Sequence, residues 1–183
     1  LLHPKGLFML SRSLLAALLL FFAFPLAYAQ DQSPGPAAHA QCKFPDGKNV
    51  TVDYLSPGTN GRRIFGDAVP YGQVWQTGDG QPPALVANTN LMLGGKNVPA
   101  GNYTIFTIPD PHKWTLIINK KTGKLDLPYE YESSELARID LLVRPINSTV
   151  ENFTIALDQR RGGCVLSLRW ENTEASVLVA EEQ

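Results

Sequence analysis

Histidine, cysteine and charge are all scarce in this chain of 183 residues, which holds 3 His, 2 Cys and 18% charged residues. Each scarcity excludes something. His3 and His39 fall outside the part expected to fold, which leaves His112 there as the single imidazole. A His-rich zinc site is thereby excluded, and any Ser-His-Asp relay would have to run through His112. Cys42 and Cys164 are far apart in sequence and form no C-x-x-C pair, so a dithiol redox motif or a zinc ribbon is absent. No basic run exceeds Arg62-Arg63, Lys120-Lys121 or Arg160-Arg161, whereas a nucleic-acid binder gathers cations on one face; no nucleic-acid partner is expected. There is no P-loop, no G-x-G-x-x-G after a strand, no H-E-x-x-H, no EF-hand loop and no G-x-S-x-G elbow. No metal site and no cofactor are expected. Sustained i, i+3, i+4 apolar spacing is also missing beyond the first thirty residues, so at most one or two helical turns are expected, around Ser133 to Leu136.

What is present begins with a leader. From Met9 the chain has a basic residue at Arg12, an apolar run from Leu14 to Leu26 broken by Pro25, and small residues at Ala27 and Ala29. That is the pattern of a secretory signal peptide cleaved after Ala29, with residues 1–8 read as an overlong gene start. The apolar run falls short of the roughly 20 residues of a spanning helix, so the mature chain is expected to carry no transmembrane segment. The first cysteine, Cys42, stands too far beyond the run to take a lipid anchor. Without Lys5 and Arg12 of the leader, 14 cations face 17 carboxylates, a net charge of −3. The expected location is secreted or periplasmic. There an oxidising environment lets Cys42 and Cys164 pair, tying the start of the fold to its penultimate strand; the alternative is two separate buried thiols. A loop of that length is worth on the order of 4–5 kcal/mol in the chain-entropy treatment.

The 44% apolar content and low charge mark a folding chain rather than a disordered one. Gln30 to Gln41 carries Ser, Pro, Gly and Ala without periodicity and reads as a flexible linker, leaving 42–183 as one domain. From Cys42 on, turn residues punctuate short β-branched and aromatic runs. Val50, Val52 and Tyr54 share one face, as do Phe153, Ile155 and Leu157, and Leu166, Leu168 and Trp170. Asn102–Ile108 and Lys113–Asn119 are apolar on both faces and read as a central hairpin around Pro109-Asp110-Pro111, while Gly94-Gly95 marks another hairpin. The expected fold is all-β: an antiparallel β-sandwich or partly open barrel of about eight to ten strands.

Chemistry has few places to reside. His112 sits in the loop Asp110-Pro111-His112-Lys113 and reads first as an exposed turn residue. Asp126, Glu130, Glu132 and Glu135 cluster closely enough to suggest Ca²⁺ ligands or an acid–base pair; the plainer reading is a solvated loop. Tyr71, Trp75, Tyr129 and Tyr131 lie in expected loops, where they either stack on sugar rings and line a cleft or cap the ends of the core. The least ordinary segment is Ser56 to Gly78, with five glycines among Arg62, Arg63, Tyr71 and Trp75. A loop of this length is usually functional, though it can also serve to cover an open sheet edge with Trp75 buried.

The run S-P-x-x-x-G-R-x-I-F-G-x-x-V-P-Y-G-x-V-W-x-T-G, followed by V-P-A-G-N-Y-T-I-F-T-I-P, K-W-T-L-I-I-N-K, F-T-I-A-L and L-x-L-x-W-E-N-T, resembles the secreted bacterial family catalogued as domain of unknown function 2911. The resemblance runs from about Cys42 to Ala180 and implies a cell-envelope protein with no established activity. Members typically read W-R-T-G-A-N-x-A-T where this chain has Trp75-Gln76-Thr77-Gly78-Asp79-Gly80-Gln81-Pro82-Pro83. A Trp-Gly pair after N-K-x-T-G is replaced by Leu125-Asp126-Leu127, so a family site built on that Arg and Asn would be altered here. The expectation that follows is a non-enzymatic module binding a small molecule, a glycan or an envelope partner through Arg62, Arg63, Tyr71, Trp75 and Thr77. The alternatives are a hydrolase using Asp79, or Glu130 and Glu132, and a purely structural envelope protein.

Overall fold

The computed structural model describes residues 35–182. The expected signal peptide, the Met9 start and the first residues of the expected linker lie outside them. The strands are β1 Ala37–Lys43, β2 Asn49–Leu55, β3 Ala84–Ala87, β4 Leu91–Leu93, β5 Lys96–Val98, β6 Gly101–Ile108, β7 Lys113–Asn119, β8 Glu135–Arg160 and β9 Gly163–Glu181. They form one sheet in the order β1-β2-β3-β6-β7-β8-β9-β4-β5, and every pairing is antiparallel. β1 and β5 end the order without pairing to each other, so the sheet stays open. The all-β expectation holds, as do the Gly94-Gly95 hairpin (β4–β5) and the central hairpin (β6–β7). Among the described residues no helix is long and apolar enough to cross a membrane.

Three sequence expectations change. β1 begins at Ala37 and so takes in residues 37–41 of the expected linker; its backbone pairs with β2 over its whole length, which compensates for a weakly patterned sequence. His39 is therefore a strand residue, its Nδ1 2.7 Å from Asp53 Oδ1 on β2. Cys164 lies on the last strand rather than the penultimate one, because β9 bends without breaking. Among the described residues the expected helical turn is reduced to the 3-10 turn Glu132–Ser134, and Glu135 and Leu136 already belong to β8.

The bend in β9 makes the sandwich. Inward-facing residues are even-numbered up to Trp170 and odd-numbered from Ala175 through Val179, so the strand changes parity between them. Glu171, with a left-handed φ of 51°, sits at that change and acts as a bulge. The backbone of Gly163 then packs directly against Val179 and Ala180 of the same strand. A straight strand would hold residues sixteen apart at roughly 50 Å, so β9 passes from one layer to the other. β8 follows it with register shifts between Pro145 and Thr154.

Between the layers lie Val52 of β2, Leu116 and Ile118 of β7, Ile139 and Leu141 of β8, and Leu166 and Leu168 of β9. Each such side chain contributes roughly 1.5–3 kcal/mol on burial. β6 and β7 are covered on both sides, as their continuous apolar sequences predicted. Their outer residues Phe106 and Ile117 pack with Leu125, against which Val74, Tyr129 and Tyr131 close. The disulfide Cys42–Cys164, with Cα atoms 6.2 Å apart, joins β1 to β9.

Candidate functional site

The Ser56–Gly78 connection is held to the β8–β9 bend by two glutamates. Glu151 Oε1 accepts from Thr59 Oγ1 at 2.6 Å and from Asn60 N at 3.0 Å, and its backbone carbonyl accepts from Thr59 N at 2.9 Å. Glu171 divides its carboxylate between Ile64 N at 2.9 Å and Phe65 N at 3.2 Å. Backbone donors that a loop cannot pair internally are thereby satisfied, three of them by a charged acceptor. Further on, Trp75 exchanges backbone hydrogen bonds with Thr107 at 2.8 and 3.1 Å, covering the part of β6 that lies beyond β3.

These anchors place Phe65 and Trp75 in an aromatic box. Phe65 meets Trp114 edge-on at 4.8 Å between centroids, Trp75 meets Phe153 at 5.2 Å, and Trp75 stacks on Trp170 at 5.9 Å with planes 17° apart. Trp170 Nε1 donates to Glu151 O at 3.0 Å, so the indole dipole is satisfied within the same cluster.

Above the box opens a cavity of about 380 Å³, bounded by the Phe65–Tyr71 segment, the β6–β7 loop and the β8–β9 bend. Phe65 and Trp114 form its floor, both nearly inaccessible. Tyr71 forms a wall with 38% of its surface exposed. Its ring lies on Gly66, where a Cβ would come within 2.8 Å of Tyr71 Cε2, and Gly66 itself has φ +84°. Only glycine allows both that backbone and that close approach. The rim is polar: Asp110, His112, Arg144, Asn172 and Thr173. Asp110 Oδ1 accepts from His112 N at 3.0 Å, which shapes the turn. Arg144 is oriented by Glu174, whose Oε1 lies 2.9 Å from Nε and 2.6 Å from Nη2. Glu174 is buried and also accepts from Arg169 Nε at 2.7 Å, so its charge is paired on both oxygens.

The family model described as Protein of unknown function (DUF2911) matches residues 35–179, most of the chain and nearly all of the β-structure. The chain belongs to the DUF2911 family. No curated protein and no solved structure matches it. Cavity, glutamate anchors and disulfide all fall within the matched DUF2911 region.

Of the five binding residues expected from sequence in this DUF2911 chain, Tyr71 alone lines the cavity. Trp75 is half-buried in the aromatic box, and Thr77 is fully buried with its hydroxyl 3.0 Å from Thr107 Oγ1. Arg62 is exposed, with Nε donating to Thr59 O at 3.3 Å, and Arg63 is exposed beside it. His112 is exposed in its turn, as expected, but that turn is part of the rim. Among the described residues no three His, Cys, Asp or Glu side chains converge to hold a metal ion. The calcium reading of Asp126, Glu130, Glu132 and Glu135 falls with that, because Glu135 turns to Arg138 Nε at 2.8 Å and Tyr129 Oη at 2.9 Å while Glu130 and Glu132 face solvent. Arg138 holds the Glu135 carboxyl below its ordinary range, and burial raises Tyr129 well above the usual phenol value. Both belong to a structural network that continues to buried Asn119, whose Nδ2 donates to Tyr129 Oη at 2.9 Å.

Sequence reasoning missed Asp110, Arg144, Asn172 and Thr173 as rim residues, and Glu151 and Glu171 as anchors. The only local signal was an acidic residue interrupting an otherwise alternating strand, which is common on solvated faces.

Proposed function

We propose that this DUF2911 protein is a non-enzymatic binding module that holds a small molecule in the cavity beside Tyr71. One observation carries the reading: a large aromatic ring stands exposed yet packs directly on Gly66, over an aromatic floor and facing a polar rim. Exposed tyrosines on loops are ordinarily free to move, and a ring held against backbone is already ordered for stacking, which lowers the entropy lost on binding. The cavity's volume falls in the range of small-molecule sites. The module is proposed to act outside the cytoplasm, a reading supported by the Cys42–Cys164 disulfide, since such bonds persist in oxidising compartments.

The test is a thermal-shift screen of the purified protein against small-molecule classes. A ligand that binds only the folded state stabilises it by about 2.7 kcal/mol at a hundredfold excess over its dissociation constant. The expected result is a shift that disappears in Tyr71→Ala while the ligand-free midpoint stays close to that of the parent. A shift that survives in Tyr71→Ala refutes the cavity as the site. Chemical turnover of the bound molecule would replace the module with the hydrolase alternative.

A further inference from the structure

The charges around this cavity say what kind of molecule it takes, an inference that rests on the binding reading above. Asp110 places a carboxylate on the rim, with Oδ1 engaged by backbone N–H groups and no cationic partner among the described residues. Lys113, three residues on at the start of β7, directs its ammonium to Asp140 Oδ2 at 3.2 Å instead. Arg144 places a guanidinium on the same rim, but both Nε and Nη2 are taken by Glu174 Oε1. An anion entering here meets the Asp110 carboxylate and a guanidinium already neutralised, whereas a cation meets one solvent-exposed carboxylate, Asp110, whose attraction water screens. Neither sign of net charge is favoured, because a charge leaving water needs a dedicated partner.

The remaining groups suit a neutral ring bearing hydroxyls. Asp110 Oδ2 accepts, the Thr173 hydroxyl donates and accepts, and Asn172 does both through its amide. The Asn172 amide makes only long internal contacts, Nδ2 at 3.4 Å to Ile146 O and to Thr149 Oγ1 and Oδ1 at 3.5 Å from Thr149 Oγ1, and can exchange them for a ligand's hydroxyls. Tyr71 offers a ring face for the apolar C–H side of a saccharide. We infer that the cavity binds a neutral saccharide ring, stacked on Tyr71 and hydrogen-bonded through Asp110, Asn172 and Thr173. The ring is either a free sugar or the terminal unit of a longer glycan.

The experiment is calorimetric titration of the protein with neutral monosaccharides, their di- and oligosaccharides, inorganic phosphate and choline, at one ionic strength. The expected result is binding by at least one neutral saccharide, weakened by about tenfold or more in Tyr71→Ala and separately in Asp110→Asn, the scale of one lost stacking or polar contact. Asp110→Asn keeps an amide oxygen for the turn, so it serves should Tyr71→Ala fail to fold. Equal affinity for a monosaccharide and its oligomers identifies a free sugar; affinity rising with length identifies a glycan terminus. Phosphate or choline binding in place of every saccharide, lost in Tyr71→Ala, overturns the saccharide class and leaves the cavity reading intact. Saccharide binding insensitive to both variants overturns the assignment of the site. Silence from every probe overturns both.

Discussion

Glu171 does two things of opposite sign, and three substitutions separate them. Its backbone, at φ 51°, occupies a region that costs an L-residue roughly 1–2 kcal/mol. Its carboxylate accepts from Ile64 N and Phe65 N, whose residues are 0% and 4% exposed. A hydrogen bond to a charged group contributes about 1.5–3 kcal/mol, and its loss leaves a buried donor unpaired. Glu171→Ala keeps the strain and loses both bonds, a cost of about 3–4 kcal/mol once the loop relaxes partway toward water. Glu171→Gly also loses both bonds but relieves the backbone, so it is expected about 1 kcal/mol more stable than the alanine variant. Glu171→Gln retains one uncharged acceptor and is expected to cost about 1–2 kcal/mol. The assay is urea unfolding followed by tryptophan fluorescence, since Trp75, Trp114 and Trp170 all sit in the box beside the anchored loop. In a domain of this size each kcal/mol corresponds to roughly 2–4 °C in the midpoint, so the alanine variant should melt about 10 °C early. An alanine variant within about 1 kcal/mol of the parent would refute the anchoring role, because ordinary surface substitutions fall in that range.

The other expectations concern the rest of the scaffold. Cys42 and Cys164 are 122 residues apart, and removing the bridge by C42A/C164A is expected to cost about 5 kcal/mol, read as a lower urea midpoint that reductant no longer moves. Trp75→Ala should destabilise by about 3–5 kcal/mol as a box residue, in contrast to Tyr71→Ala, which unfolding curves should place near the parent. Burial keeps Tyr129 protonated past the ordinary tyrosine pKa of about 10. The unfolded chain therefore releases this proton first, and the stability gained is whole below about pH 10 and falls as pH rises above it. Tyr129→Phe should flatten that alkaline decline, measured by urea unfolding between about pH 8 and 11, leaving the smaller part owed to Tyr103, which burial also raises. An unchanged slope would show that Tyr129 ionises as readily in the fold as outside it.

Alternation alone identified the faces of β2, of the second half of β8 and of the first half of β9, because a half-buried strand must repeat every two residues. Double-sided apolar sequence identified β6 and β7 as the covered centre for the same reason. The pairing of Cys42 with Cys164 was one of two open readings, and distance in space settled it. Sequence also marked Ser56–Gly78 as exceptional, yet it could not divide that segment's side chains between core and cavity. Trp75 and Thr77 went inward because the Trp75 backbone pairs with Thr107 on the stretch of β6 beyond β3, which brings the Thr77 hydroxyl to Thr107 Oγ1. Tyr71 stayed outward because Gly66 lies beneath its ring. The cavity rim was invisible in the chain, since Asp110, Arg144 and Asn172 belong to three separate segments. They meet because a bulge at Glu171 turns β9 from one layer into the other. Local pattern determines which face of a strand is buried, as that depends on neighbours two residues away; a site built across a bend depends on contacts that exist only after the layers have closed.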